Sequence, residues 1–228
     1  MQLTYFGHSC FLVESDGYRI LFDPFIADNP LASDIDVDQI RCDYILISHA
    51  HSDHIADVER IAANNPEVVI VGIWEVSAYY SAKGFHTHPM NKGGWWSFGF
   101  GRVKMVQAVH SSAFPDGTYG GDPVGYVLDM TDGVLYFAGD TALTMDMQVI
   151  PMTCPPLSTA ILPLGSNFTM DYEDACIAAQ FLNCRRIVGC HYDTFGYIKL
   201  DHEAAKEKFA SHNRSLILPT IGETFTLH

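Results

Sequence analysis

The chain has 228 residues, 48% of them hydrophobic and 18% charged, with a formal net charge of −14 at pH 7. That is enough apolar material for a sizeable core, and 1–228 is expected to form one α/β-sized domain. Only 13 Lys and Arg face 27 Asp and Glu, with no basic cluster, which argues against a nucleic-acid partner; no run approaches a membrane span, and no charged and apolar leader precedes the first strand.

In chain order, the apolar pattern predicts strands at 2–6, 10–14 and 18–22. The run Asp43-Tyr44-Ile45-Leu46-Ile47-Ser48 predicts a buried strand at 44–48. Ile55, Val58 and Ile61 at helical spacing predict a helix at 53–63, with Ser52 or Asp53 as its N-cap. A strand at 68–72 and a helix near 75–82 complete this half. Strands at 103–109, 124–129, 134–138 and 159–163 follow, then a helix at 171–183, a strand at 186–190, a helix at 201–211 and short strands near 215–218 and 224–227. Such alternation predicts sheets buried between helices. Stretches 91–101 and 114–123 carry Gly and Pro between periodic segments and read as loops. The six cysteines show no C-x-x-C or metal spacing, and a domain this size needs no disulfides, so the expected address is the cytoplasm. Cys190 reads as a small buried apolar residue.

Between the 44–48 strand and the helix after it stands His49-Ala50-His51-Ser52-Asp53-His54, an H-x-H-x-D-H run. Three histidines on one turn have no packing role that Leu or Ala would not fill better. A strand-to-helix turn fixes the backbone on both sides, so imidazoles and a carboxylate can converge on a metal with little further ordering. One turn cannot surround a cation, and further ligands are expected elsewhere. Three predicted strands end in such residues: 103–109 before His110, 134–138 before Asp140, and 186–190 before His191. An α/β fold collects strand ends along one edge.

These residues, in this order, resemble the metallo-β-lactamase superfamily, and the similarity covers nearly the whole chain. It narrows to the ascorbate-phosphate-lactonase-like proteins and the uncharacterised bacterial metal-dependent hydrolases related to them. The narrower signals are Leu3-Thr4-Tyr5-Phe6-Gly7-His8-Ser9-Cys10, Phe22-Asp23-Pro24, Leu162-Pro163-Leu164-Gly165-Ser166-Asn167 and His191-Tyr192-Asp193-Thr194-Phe195. Ser166 stands where that branch commonly has Asp, and Gly196 where it commonly has Pro; both departures bear on the pocket rather than on a ligand. The resemblance implies a four-layer αββα sandwich of two similar halves. It also implies a ligand set: His49, His51 and His110 for one metal; Asp53, His54 and His191 for the other; Asp140 bridging.

Imidazoles and carboxylates without Cys suit two divalent cations, Zn²⁺ or alternatively Mn²⁺ or Fe²⁺, in an open catalytic site. Metal binding lowers the pKa of water from about 16 to roughly 7, so a metal-bridged hydroxide becomes the expected nucleophile, with Asp53 and Asp140 the catalytic carboxylates. The expected activity is hydrolysis of a small-molecule ester, lactone or phosphorylated metabolite. Alternatives are a mononuclear iron oxidoreductase of the persulfide-dioxygenase kind, a nuclease, and a non-catalytic metal-binding protein. A di-iron oxygen-reducing enzyme would be expected to carry a carboxylate at His51. The expected partner is a small molecule, with a homo-oligomer open.

Several neighbours invite roles. His8, after the first strand, is a candidate catalytic residue or a structural histidine. Asp23 orients a ligand histidine or forms an Asp-Pro turn. Asn167 and Tyr192 are candidate donors to substrate. Trp95 and Trp96 form a wall over the substrate or, with the better claim, pack at a hairpin leading to 103–109. The loop from Ser111 to Pro123 is the candidate cover.

Overall fold

The computed structural model describes residues 1–227. The first half is a meander of β1 (Gln2–Gly7), β2 (Cys10–Ser15) and β3 (Tyr18–Phe22), then β4 (Tyr44–Leu46), α1 (Ser52–Ile55), α2 (Val58–Asn64), β5 (Val69–Ile73), α3 (Trp74–Ala82) and β6 (Thr87–Met90). The second half is a meander of β7 (Trp95–Phe98), β8 (Gly101–Gln107), β9 (Val124–Met130) and β10 (Gly133–Phe137). It continues with α4 (Ile150–Thr153), β11 (Thr159–Pro163), α5 (Tyr172–Phe181), β12 (Arg186–Cys190), α6 (His202–Ser211) and β13 (Ser215–Ile217), and β14 (Thr224–Thr226) closes the chain.

The strands form two seven-stranded sheets, ordered β14-β1-β2-β3-β4-β5-β6 and β13-β12-β11-β10-β9-β8-β7. In each sheet three antiparallel pairings lead into three parallel ones. The pairing pattern therefore displays the two similar halves that residue identities alone did not. β14 returns from the C-terminal end to supply the first strand of the N-terminal sheet, the place β7 holds in the other.

Alternating apolar residues put the sheets face to face. Phe22 of β3 and Phe137 of β10 pack at 4.6 Å between ring centroids, both fully buried, inside a core that draws on both sheets. A second core lies between the C-terminal sheet and its helices, with Ala175, Ala178 and Ala179 of α5 and Phe209 of α6. Both helices start where an aspartate accepts a backbone N–H: Asp171 from Asp174, and Asp201 from Ala204. No helix among the described residues is long and apolar enough to cross a membrane.

Several elements differ from the sequence expectation, the short α4 among them. The helix expected at 53–63 is broken into α1 and α2, because the Asp57 N–H bonds the Pro24 carbonyl (3.1 Å) and the Asp57 carboxylate accepts the N–H groups of Ile26 and Ala27. The segment after Asp23 is thereby tied to the helix that follows the histidine run. β6 was not expected; it is an edge strand holding Pro89, whose missing N–H costs no pairing there. β7 falls in the stretch read as a loop and carries both tryptophans. Trp95 pairs with Lys104 under the Arg102 guanidinium, and Trp96 leans on His88 with half its surface exposed, so the hairpin placement holds and neither lines the site described below.

Candidate metal centre

Every residue of the site follows the end of a strand. His8 comes after β1, Asp23 after β3, His49 to His54 after β4, His110 after β8, Asp140 after β10 and His191 after β12. The two sheets thus present their ends to one cleft, and cross-connections hold the ends together. Tyr126 of β9 reaches across to donate to the Ile47 carbonyl (2.7 Å), and Val124 N–H donates to the Ser48 carbonyl (3.0 Å). His191 N–H donates to the His8 carbonyl (2.8 Å), and Thr141 Oγ1 accepts from Val109 N–H (3.0 Å).

His8, Asp23 and His191 all have left-handed backbone, with φ of 55°, 41° and 55°. Such conformations are uncommon for non-glycine residues and persist where surroundings over-determine them. Gly165 shows how tight the support is: a Cβ there would run into the His191 carbonyl and lie 2.9 Å from Ile198 Cβ. Gly165→Ala is expected to cost about 1–3 kcal/mol, read as a lower urea midpoint, because the His191 turn must shift to admit a methyl group.

Two donor groups converge. His49, His51 and His110 form one; His8, Asp53, His54 and His191 form the other. Asp140 lies between them, its Oδ2 2.9 Å from His191 Nε2, 3.4 Å from His54 Nε2 and 3.6 Å from His110 Nε2. The structure therefore brings all seven expected ligands to one place. His54 Nε2 and Asp140 Oδ1 are buried without a hydrogen-bond partner. Orphaned polar atoms in a buried site are costly unless something occupies the space between them, and a divalent cation fits this donor set.

The electrostatics point the same way. Burial opposes charge on both His54 and Asp140, yet Asp140 and Asp23 push the His54 pKa well up, while His191 and His54 hold the Asp140 carboxyl well down. His49 is pushed the other way, by burial and then by the neighbouring His54 charge, which keeps its ring neutral and able to coordinate.

Asp23 holds the centre from behind. Its Oδ2 meets His54 Nδ1 at 2.7 Å and accepts from Ser48 Oγ at 2.5 Å, while Oδ1 accepts from Ser48 N–H at 2.7 Å. Ser48 Oγ, its proton directed at Asp23, is left to accept from His49 Nδ1 at 2.9 Å. One carboxylate thus fixes the ring of His54 directly and that of His49 through a hydroxyl, leaving each Nε2 for the metal. Burial pushes the Asp23 pKa up, and His54 and Ser48 oppose it. Nothing in the sequence marks Ser48, since a Ser before H-x-H has no spacing of its own.

Three candidates lie away from the cleft. His8, for which the sequence offered a catalytic or a structural role, is 1% exposed and does not line the cleft; it stands behind Asp53, Nε2 to Oδ2 at 3.1 Å. A carboxylate can only accept, so His8 Nε2–H donates and Nδ1 takes the Thr194 hydroxyl at 3.0 Å. Burial, then the nearby His191, lowers the His8 pKa to about 4, in keeping with a neutral ring that positions Asp53. Asn167 is exposed outside the cleft, and its neighbour Phe168 enters the lining instead. Tyr192 is buried against α6, its ring edge-on to His202, because the left-handed turn at His191 sends it away from the metal ligands.

The cleft itself has a volume of about 920 Å³ and is walled by Phe25, Phe168, Phe195 and Tyr197 above His51, Asp53, His110, Asp140 and His191. The loop expected to cover it contributes only Ser111; farther on, Phe114 stacks on Tyr79 of α3 at 3.7 Å and packs the loop down there. The aromatic walls have no signal in the sequence; they come from segments after β3, β11 and β12.

A family described as Beta-lactamase superfamily domain matches residues 2–191. A UPF0173 metal-dependent hydrolase of Flavobacterium johnsoniae is 52% identical over 227 residues, covering 100% of both chains. The UPF0173 metal-dependent hydrolase YtkL of Bacillus subtilis is 40% identical, again over 100% of both. Among solved structures, Igni18, a metallo hydrolase from Ignicoccus hospitalis, superposes with a TM-score of 0.88 at 33% identity, covering 100% of this chain and 99% of its own. With the fold, the converging ligands and full-length relatives in agreement, the chain belongs to the beta-lactamase superfamily and, within it, to the UPF0173 metal-dependent hydrolases.

Proposed function

We propose that the protein hydrolyses an ester, lactone or phosphoester bond of a small molecule with two divalent cations, Zn²⁺ first, then Mn²⁺ or Fe²⁺. His49, His51 and His110 would hold one, Asp53, His54 and His191 the other, with Asp140 shared. The observation that carries this reading is Asp140, whose one oxygen lies within 3.6 Å of imidazoles from both groups while its other has no partner. When bound, the metals supply Lewis acidity and a water acidic enough to attack near neutral pH.

The protein's own contribution is placement. Asp23 and Ser48 hold His49 and His54 in the ligating tautomer, and His8 fixes Asp53. Phe25 and Phe195 shield the metal ligands from bulk water on one side, which strengthens every charge interaction beneath them. The absence of Lys and Arg from the cleft lining, among the described residues, supports a small-molecule substrate over a nucleic acid.

Elemental analysis of protein purified without chelator tests the metal count. About two equivalents of zinc or manganese per chain are expected, with His110→Ala and His191→Ala each losing about one. One equivalent of iron would favour the oxidoreductase, and no metal after reconstitution would overturn the proposal.

A further inference from the structure

The walls of the cleft carry information about the part of the substrate that does not react. Phe25 and Phe195 form an inner pair, centroids 6.2 Å apart, each edge-on to His8 behind the ligands. Phe168 and Tyr197 form an outer pair at the mouth, centroids 6.3 Å apart and nearly perpendicular, and they are 51% and 79% exposed. The two members of the outer pair come from separate segments, after β11 and after β12. Large aromatic side chains left facing solvent on two converging segments offer contact area to whatever enters the cleft past them.

Charge narrows the occupant. Among the described residues the lining holds no Lys or Arg, and its carboxylates are Asp28, Asp53 and Asp140. Lys199, on the same segment as Tyr197, is absent from the lining and donates to the Asp193 carbonyl at 3.0 Å. An anionic substituent beyond the reacting bond would meet ring faces, which are electron-rich, and Asp28, with no counter-cation. A cationic substituent would meet those same electron-rich faces favourably, with Asp28 exposed beside them, so the walls disfavour an anion and not a cation.

Resting on the hydrolase reading above, we infer that the substrate carries a non-anionic group with apolar surface, a ring or short hydrocarbon, which packs against Phe168 and Tyr197 while its scissile bond reaches the metal ligands. Anionic metabolites whose phosphate or carboxylate is not the reacting group are poor substrates.

The metal-loaded full chain is assayed with three acetate esters that differ only at the far end: 3-phenylpropyl, 3-carboxypropyl and 3-(trimethylammonio)propyl acetate. The phenyl ester is expected to have a kcat/KM about tenfold or more above the carboxylate homologue, with the trimethylammonio ester also above the carboxylate. Phe168→Ala and Tyr197→Ala, both at exposed positions, are expected to raise its KM about fivefold, more than they change that of propyl acetate. The carboxylate homologue used as well as the phenyl ester, or two variants without effect on KM, would overturn the inference. If no ester is turned over, hydrolysis of acyl esters fails, and the cleft is judged separately by ligand-observed NMR with 3-phenylpropanol and 4-hydroxybutyrate. Binding of the phenyl compound alone, lost in Phe168→Ala, supports the inference; no binding of it, or equal binding of the anion, overturns it.

Discussion

Asp140→Ala is expected to lower hydrolysis by roughly 10²–10³-fold or more, the scale of loss when a group facing the reacting charge is removed. Its effect on metal should differ in kind from that of any histidine variant. Asp140 Oδ2 lies near His191 and His54 of one donor group and near His110 of the other. Removing it takes a negative charge from both metal positions at once. In competition with a chromophoric chelator, both equivalents should therefore weaken, whereas His110→Ala should weaken one. Asp140→Asn keeps the volume and removes the charge, so a matching loss there would assign the effect to charge and not to a cavity. Two equivalents held with unchanged affinity in Asp140→Ala would show that the carboxylate is not shared.

The candidate ligands were legible because polar residues at the ends of apolar strands stand out against their surroundings. His110, Asp140 and His191 each follow a run whose burial is forced by its composition, and the fold then brings those ends together. What was not legible depends on side-chain direction at irregular backbone. Tyr192 and Phe195 both lie in the segment after His191, yet one is buried against α6 and the other lines the cleft. With left-handed turns at His191 and Asp193, no period of alternation predicts which. Asn167 and Phe168 pose the same problem after Ser166, which also has positive φ. The break between α1 and α2 was hidden for another reason. Helical spacing continues through it, and tertiary bonds end the first helix: the Asp57 N–H goes to the Pro24 carbonyl, and Ile26 and Ala27 claim the Asp57 carboxylate.

Asp23→Asn offers a test of the supporting shell that leaves every ligand in place. The carboxylate accepts three hydrogen bonds, from Ser48 N–H, from Ser48 Oγ and from His54 Nδ1. An amide has one accepting oxygen, and the Ser48 N–H claims it. The amide nitrogen then faces Ser48 Oγ and His54 Nδ1, both of which had been donating. To avoid two opposed donors, His54 must carry its proton on Nε2, the atom needed by the metal. Ser48 Oγ must turn its proton toward His49 Nδ1, which drives the His49 proton to Nε2 as well. One isosteric change thus presents the wrong tautomer in both donor groups. Metal affinity is expected to fall about 10–100-fold, the range for partners that orient metal-bound histidines. The fall should appear at both positions, since the proposed assignment gives His49 to the metal held with His51 and His110 and His54 to the metal held with Asp53 and His191. Ser48→Ala separates the two paths: it leaves the Asp23 contact with His54 intact and should weaken the position held by His49 more than the other. Unchanged affinity in Asp23→Asn would mean that packing alone fixes the two rings.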